Sequence, residues 1–432
     1  MSLLTQQIKS IHQQQVNPVS TGHAAFRDIA EQHATDAAFL WLLRSQVVDA
    51  STLYDQQDIN ELDRRIHAHL EGVQAAGALG WEICLQQMEL EDAGETFVAA
   101  VTAFNSGDTA RMKYVCATAL TQPEMIPGLV SALGWINPET AQYWIDRFLQ
   151  VNDPQYHYLA IASCSLCRQD PGQALVSLLK SSSIDQHPQL YARCIRLIGE
   201  LKRVDLMPAL NQAMNAEDDE VKFWAYWSAS LLGNKTAAQS LQSYLVSDNE
   251  HHILALQMVF SSLTIEQSRQ IISIISKDSA NLRIVIQAAG ALGEPQVIPW
   301  LIQQMHIPEL ARIAGLSFSL ITGLDLEQSQ LIKAVDIPFE DNPQGDISDD
   351  AAQDDNDLPW PDPIKVRSYW EKNSELLQTG VCYFLGKPVE VDALNEALQN
   401  GNQLQRSYAS IKLAILESSA PLPNNAYPVV TR

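Results

Sequence analysis

Ala289-Gly290-Ala291-Leu292-Gly293, followed by Glu294-Pro295-Gln296-Val297-Ile298-Pro299-Trp300-Leu301, is the stretch that decides the fold. A helix of small and apolar residues ends on a glycine, a short turn carries a proline, and a second apolar helix begins. The glycine suits a helix end, where a left-handed residue is needed and a Cβ would clash. Alanine and serine let neighbouring helices approach closely. Prolines fall in the turn or the first helical turn, as Pro123, Pro138, Pro208 and Pro299 do.

The phrase recurs in both directions. Val130-Ser131-Ala132-Leu133-Gly134 precedes an apolar helix over 140–149, and Ile195-Arg196-Leu197-Ile198-Gly199 precedes Leu206-Met207-Pro208-Ala209-Leu210. Ala229-Ser230-Leu231-Leu232-Gly233 precedes a helix over 237–245, and Ser319-Leu320-Ile321-Thr322-Gly323 closes the run. Degenerate copies centred on Cys167 and Ser262 fill the gaps, so Gly134 to Gly323 divides into six steps of about 31 residues. That is the size of a two-helix solenoid unit, whose apolar stripe is buried only by stacking on its neighbours. The expected fold is therefore all-α, a superhelix of antiparallel helix pairs with helical caps.

Upstream, 35–44 reads as a capped apolar helix beginning at Thr35-Asp36. Ile59, Leu62, Ile66, Leu70 and Val73 mark a second helix, and a third covers 79–88. Downstream, the segment from Phe339 to Asp357 carries eight acids, and no Lys or Arg lies between Lys333 and Lys365. It is expected to be mobile over 340–357. Tyr383-Phe384-Leu385-Gly386 with 391–398 reads as one more repeat, 406–416 as a closing helix, and 418–432 as irregular. The expected organisation is an N-terminal helical cap over 1–93, a repeat array over 94–337, an acidic linker over 338–363, and a C-terminal repeat, cap and tail over 364–432.

The chain has 432 residues and a net charge of −23. That charge repels phosphate backbones and anionic membrane surfaces and attracts basic partner surfaces. Nucleic acid and membrane are therefore not expected as partners. No apolar run reaches the length of a signal peptide or a bilayer span, which places the chain in the cytoplasm. The six cysteines are scattered through apolar helical pattern, as free buried thiols are in a reducing compartment.

The phrases resemble HEAT repeats over about 94–337, and Asp218-Asp219-Glu220-Val221-Lys222 matches the start of the inner helix of that repeat. A second resemblance spans more of the chain. It is carried by Phe39-Leu40-Trp41-Leu42-Leu43-Arg44, Leu62-Asp63-Arg64-Arg65, Ala68-His69-Leu70-Glu71-Gly72 and Gly77 to Trp81. Phe223-Trp224-Ala225-Tyr226-Trp227-Ser228-Ala229, Leu320 to Leu326 and Trp360-Pro361-Asp362-Pro363 continue it. These look like a bacterial HEAT-repeat family of unassigned activity encoded in type VI secretion gene clusters. The resemblance implies an accessory adaptor or chaperone acting on a spike, tip or effector protein. It implies no catalytic residue and no cofactor.

The residues themselves name no active site. Cys164-x-x-Cys167 is a single pair where a zinc site uses four ligands, so it reads as core thiols. His67 and His69 point to different sides of one helix, and Asp63 is placed to pair with His67. Arg193, Lys222, Arg283 and Arg312 recur at similar points of successive repeats, where acids in the turns such as Asp219 and Asp278 can pair them. Phe223, Trp224, Tyr226 and Trp227 form the most unusual cluster and are the candidate protein-binding residues. Two fates are open to them: core packing on a helix that is apolar all round, or an exposed aromatic anchor in a groove. A cofactor or pigment lyase and a self-assembling structural component are the rival readings to a binding scaffold.

Overall fold

The computed structural model describes residues 24–245, 249–333 and 355–428. These fall into two compact units, one of 24–43 and 62–136, the other of 44–61 and 137–428. The helices are α1 (Ala24–Val47), α2 (Gln56–Ala75), α3 (Ala78–Gln87), α4 (Ala93–Ser106), α5 (Thr109–Ala119) and α6 (Ile126–Ala132). They continue as α7 (Pro138–Gln150), α8 (Pro154–Cys167), α9 (Gln173–Leu179), α10 (Pro188–Glu200), α11 (Met207–Ala213) and α12 (Asp219–Leu231). Then come α13 (Lys235–Ser240), α14 (His252–Ser262), α15 (Ile265–Ile275), α16 (Leu282–Leu292), α17 (Ile298–Gln304) and α18 (Pro308–Thr322). The chain ends with α19 (Pro363–Asn373), strands β1 (Tyr383–Phe384) and β2 (Lys387–Pro388), α20 (Val391–Asn400) and α21 (Gln403–Leu416).

In the first unit the core forms around fully buried Phe97. Trp41 stacks on it at 5.1 Å and Trp135 meets it edge-on at 5.3 Å. The Trp41 indole N–H donates to Ser131 Oγ at 2.9 Å, so the polar end of a buried ring keeps a partner. Helix α1 is already helical at Ala24. Thr35 and Asp36 thus lie inside it instead of capping it, and the Thr35 hydroxyl accepts from Gln87 of α3 at 3.0 Å. His67 packs against Trp135 at 4.8 Å, while His69 meets His33 through Nδ1 at 3.1 Å.

In the second unit, α8, α10, α12, α14, α16 and α18 stack in sequence order as one layer. Helices α9, α11, α13, α15 and α17 stand beside them. Close approach within the long layer uses small residues. A Cβ on Gly199 would lie 2.7 Å from Ser228 Cα, and one on Gly290 would lie 3.0 Å from Ser317 Cα. The same two serines donate to Ile195 and Ile286 carbonyls, each at 2.9 Å. The glycines of the repeat phrase therefore serve two purposes. Gly233, Gly293 and Gly323 are left-handed helix stops, with φ of 90°, 79° and 72°. Gly199 lies inside α10 as a packing notch, and Lys202 takes the left-handed position with φ 56°. Gly134 is likewise not left-handed, so the helix-stop expectation fails at these two sites.

The last stretch differs most from expectation. Tyr383-Phe384-Leu385-Gly386 is not a helix but a two-residue hairpin, with Tyr383 opposite Pro388 and positive φ at Leu385 (50°) and Gly386 (77°). Two positive-φ residues are what a tight hairpin turn demands, and four apolar residues cannot by themselves distinguish strand from helix. Helix α19 helps cover the final core, with Val366 in one buried cluster with Phe318, Ile298 and Leu301. From there the chain doubles back across the C-terminal ends of the long helices. Tyr383 N–H donates to Gly293 O at 2.8 Å, and Leu385 and Gly386 N–H donate to Leu320 and Ile321 O at 2.8 and 3.0 Å. Lys412 of α21 donates to Ala291 O at 2.8 Å. Lys202 bridges Leu231 O and Ala414 O, and Leu422 N–H reaches Glu200 O at 2.8 Å. Helix ends leave carbonyls without partners; here the returning segment supplies donors to α18, α16 and α10, while Lys202 after α10 caps α12 and ties it to α21.

The buried thiols set an alkaline limit on stability. Burial pushes Cys84, Cys116 and Cys164 up to about 12 and Cys167 to about 11, and raises Cys194 and Cys382 as well. An unfolded thiol ionises near 9.0 while the folded one keeps its proton, so the folded state binds more protons and stability falls as pH rises. Lys202 and Lys412 act in the opposite sense. Burial pulls both down to about 8 against an ordinary 10.5, which favours folding as pH rises between those values. Six thiols outweigh two lysines. The expected result is a melting temperature that drops steeply above about pH 9, each buried thiol removing at most about 1.4 kcal/mol of stability per pH unit. Circular-dichroism melts in reductant from pH 7.5 to 10.5 check it; a flat profile contradicts it.

Candidate functional site

The four aromatic candidates lie on α12, whose start is fixed by Asp218, the carboxylate accepting from Val221 N–H at 3.0 Å. Phe223 is fully buried and stacks on His251 at 4.1 Å. Trp224 and Trp227 are 5% and 3% exposed and meet edge-on at 5.3 Å. Tyr226 is half-buried, its hydroxyl turned to Met214 O at the end of α11. The structure buries Phe223, Trp224 and Trp227 in the core and leaves Tyr226 half-buried. The physical reason is that α12 has α10 and α14 on either side and α11 and α13 behind it. Neither tryptophan ring presents a surface that a partner could cover.

Around this core sits a polar ring. The Trp224 indole donates to Glu220 at 2.6 Å, His251 Nε2 meets the same carboxylate at 2.5 Å, and the Arg196 guanidinium lies 4.3 Å from the Trp224 ring centre. Burial opposes ionisation of Glu220, but the bonds from His251 and Trp224 outweigh it and hold the carboxyl below its ordinary value. Glu220, Glu250 and His251 also bring ligand-type atoms within 4.8 Å of one another. Glu220 is already engaged by His251 and Trp224, and Glu250 lies exposed 3.7 Å from His251, so the group reads as a hydrogen-bonded cluster closing the aromatic core.

The cationic residues do not form one ladder. Lys222 pairs with Asp219 at 2.8 Å, as expected. Arg283 pairs not with Asp278, which caps the turn at Ala280, but with Asp355 at 2.8 and 2.5 Å. Arg312 donates to Asp355 O at 2.7 Å and to Asn356 Oδ1 at 3.3 Å, and stacks on Trp360 at 4.5 Å. The expectation of a mobile acidic segment over 340–357 falls mostly on 334–354, outside the described residues. At its end it fails, because Asp355 is buried with a guanidinium as counter-charge and Leu358 joins the core of α16–α19. No sequence signal ties residue 355 to residue 283, since the pair spans 72 positions.

Arg283→Ala is expected to release this segment. A buried carboxylate stripped of its partner costs about 3–5 kcal/mol, but this one sits on a loop end that can lift away and hydrate. The cost is then that of undocking Leu358, about 2–3 kcal/mol. Limited proteolysis should show new cleavage at 355–362 with the melting transition little changed; an intact loop would contradict it.

A second constellation gathers at α8 and α10. Glu200 is fully buried and receives Ser165 Oγ–H, Arg168 at 3.2 Å and Arg196 at 2.8 Å. Burial would raise its carboxyl, yet Arg196, Arg168 and Arg193 together hold it below the ordinary range. The C-terminal tail lies against this group: Arg168 Nε donates to Leu422 O at 3.1 Å, Arg44 to Ala426 O at 3.1 Å, and Asn424 Nδ2 to Leu166 O at 2.6 Å. Cys164, Cys167 and Cys194 are free thiols near the same helices, protonated by burial.

This is an all-α helical-repeat solenoid. Residues 172–257, spanning α9 to α14, match the family model described as HEAT repeats. No curated protein and no solved structure matches the chain. Among the described residues no helix is long and apolar enough to cross a membrane.

Proposed function

We propose that the chain is a non-catalytic scaffold that holds another polypeptide along its long helices. Its proposed setting is that of the family its phrases resemble: a cytoplasmic accessory adaptor or chaperone of a type VI secretion system, acting on a spike, tip or effector protein. The observation that carries polypeptide binding is the docking of 355–360 on α16 and α18. There Arg283 grips a carboxylate in bidentate fashion, and Arg312 takes a main-chain carbonyl and stacks on Trp360. Bidentate guanidinium–carboxylate pairs and cation–π stacking serve equally between chains. HEAT repeats are commonly protein-interaction scaffolds, and the match over 172–257 supports the same reading.

The test is co-expression of the tagged chain with the spike, tip and effector proteins encoded beside it, followed by size-exclusion chromatography with light scattering. A stoichiometric complex with one of them is expected. Failure to form a complex with any of them, or assembly only with itself, overturns the adaptor reading.

A further inference from the structure

We infer that Arg193, flanked by Arg168 and Arg196, is a receptor for a carboxylate of the partner polypeptide, an Asp or Glu side chain presented to α8 and α10. The inference rests on the scaffold reading above and names the chemistry of one contact within it. The first ground is charge. Three guanidinium groups, Arg168, Arg193 and Arg196, converge on the one buried carboxylate of Glu200 in a chain whose net charge is −23, and Asp49 and Glu220 act on Arg196. Asp170, a further acid, is engaged by Arg203 at 2.8 Å.

The second ground is the state of Arg193 itself. Arg168 and Arg196 each bond Glu200, whereas Arg193 bonds no carboxylate. Its Nε is buried and reaches no acceptor, and its Nη2 makes one long contact of 3.4 Å to Ala162 O. Burial and the Arg196 charge pull this guanidinium down to about 10, so its charged form is held at a cost. Guanidinium groups present a planar fork that matches a carboxylate. One left half-satisfied beside two others is a destabilising feature that a bound anion would relieve.

The third ground is precedent within the molecule. Arg283 on α16 binds the Asp355 carboxylate through two nitrogens, so the long helices already recognise an acid on an extended segment. By that precedent the occupant at Arg193 is an acidic residue of an extended polypeptide, with free phosphate as the source the test below separates from it.

The experiment compares the wild-type chain with Arg193→Met and Arg193→Lys. Each is melted alone, with acetyl-Gly-Glu-Gly-amide, with its Gln counterpart, and with inorganic phosphate at equal ionic strength. Arg193→Met is expected to melt at or above the wild-type temperature, because a guanidinium whose buried Nε has no acceptor is removed. The Glu peptide should stabilise wild type, the Gln peptide should not, and Arg193→Met should bind the Glu peptide at least tenfold more weakly; Arg193→Lys should recover part of that binding. A lower melting temperature for Arg193→Met marks Arg193 as a structural residue and overturns the inference. So does equal stabilisation of wild type and Arg193→Met, or stabilisation by phosphate without the peptide. If Arg193→Met still forms the complex with the secretion partner at full affinity, this inference falls while the scaffold reading stands.

Discussion

Phe223→Ala is expected to lower the stability of the second unit by about 3–5 kcal/mol, the range for emptying a large aromatic site in a packed core. Phe223 is fully buried, sandwiched by His251 at 4.1 Å and met edge-on by Trp224 and Tyr244 at 5.1 and 5.2 Å. The ring also orients His251 for its bond to Glu220, so the loss reaches the polar ring around Trp224. Trp224→Ala should be similarly costly and should also free Glu220 and Arg196. Thermal melts read the stability. Binding measured per folded molecule should be unchanged in both variants, because both rings are buried. Reduced binding at unchanged stability would return the cluster to the surface and contradict this assignment.

Gly293→Ala should be the most damaging glycine replacement in the repeat array, and Gly233→Ala is its internal control. Both glycines are left-handed, with φ of 79° and 90°, so each alanine bears a backbone penalty of about 1–2 kcal/mol. A Cβ on Gly233 meets nothing within 4 Å, while one on Gly293 would sit 2.0 Å from Tyr383 O. The hairpin must move, which breaks the Tyr383 to Gly293 bond and unseats Tyr383 from the core of α16–α19. Overpacking of this kind adds about 1–3 kcal/mol, and the lost hydrogen bond about 1 kcal/mol more. The expected total is about 3–6 kcal/mol for Gly293→Ala against about 1–2 kcal/mol for Gly233→Ala. Urea unfolding of the pair measures the difference, which isolates what the returning segment contributes. Equal costs would mean that the hairpin adds nothing to stability.

The candidate contact residues were legible only in part. The recurrence of arginine in the repeats pointed to Arg193, Arg283 and Arg312, because charges inside otherwise apolar phrases stand out. Their roles were not legible: Arg283 pairs with Asp355, 72 positions away, and Glu200 takes Arg196, one helical turn before it, and Arg168 at the end of the preceding long helix but not Arg193. Lys412 carried a similar unread signal. A lone lysine in the apolar run Ile411 to Leu416 is a charge with a buried destination, and that destination is a helix-end carbonyl 121 positions away.

By itself the sequence determined the helix pairs, their order, and the stops at Gly233, Gly293 and Gly323, because helical periodicity and left-handed backbone demands are local and act within a few residues. It also narrowed the aromatic cluster to two fates, since a helix apolar on every side is either enclosed or adhesive. Tertiary structure alone decided between them, by placing α10 and α14 on either side of α12. It alone made Gly199 a packing notch against Ser228, folded Tyr383-Phe384-Leu385-Gly386 as a hairpin, and sent the C-terminal segment back over the helix ends. Those outcomes depend on which carbonyls and surfaces remain unsatisfied once the repeats have stacked, a quantity that no window of local sequence contains.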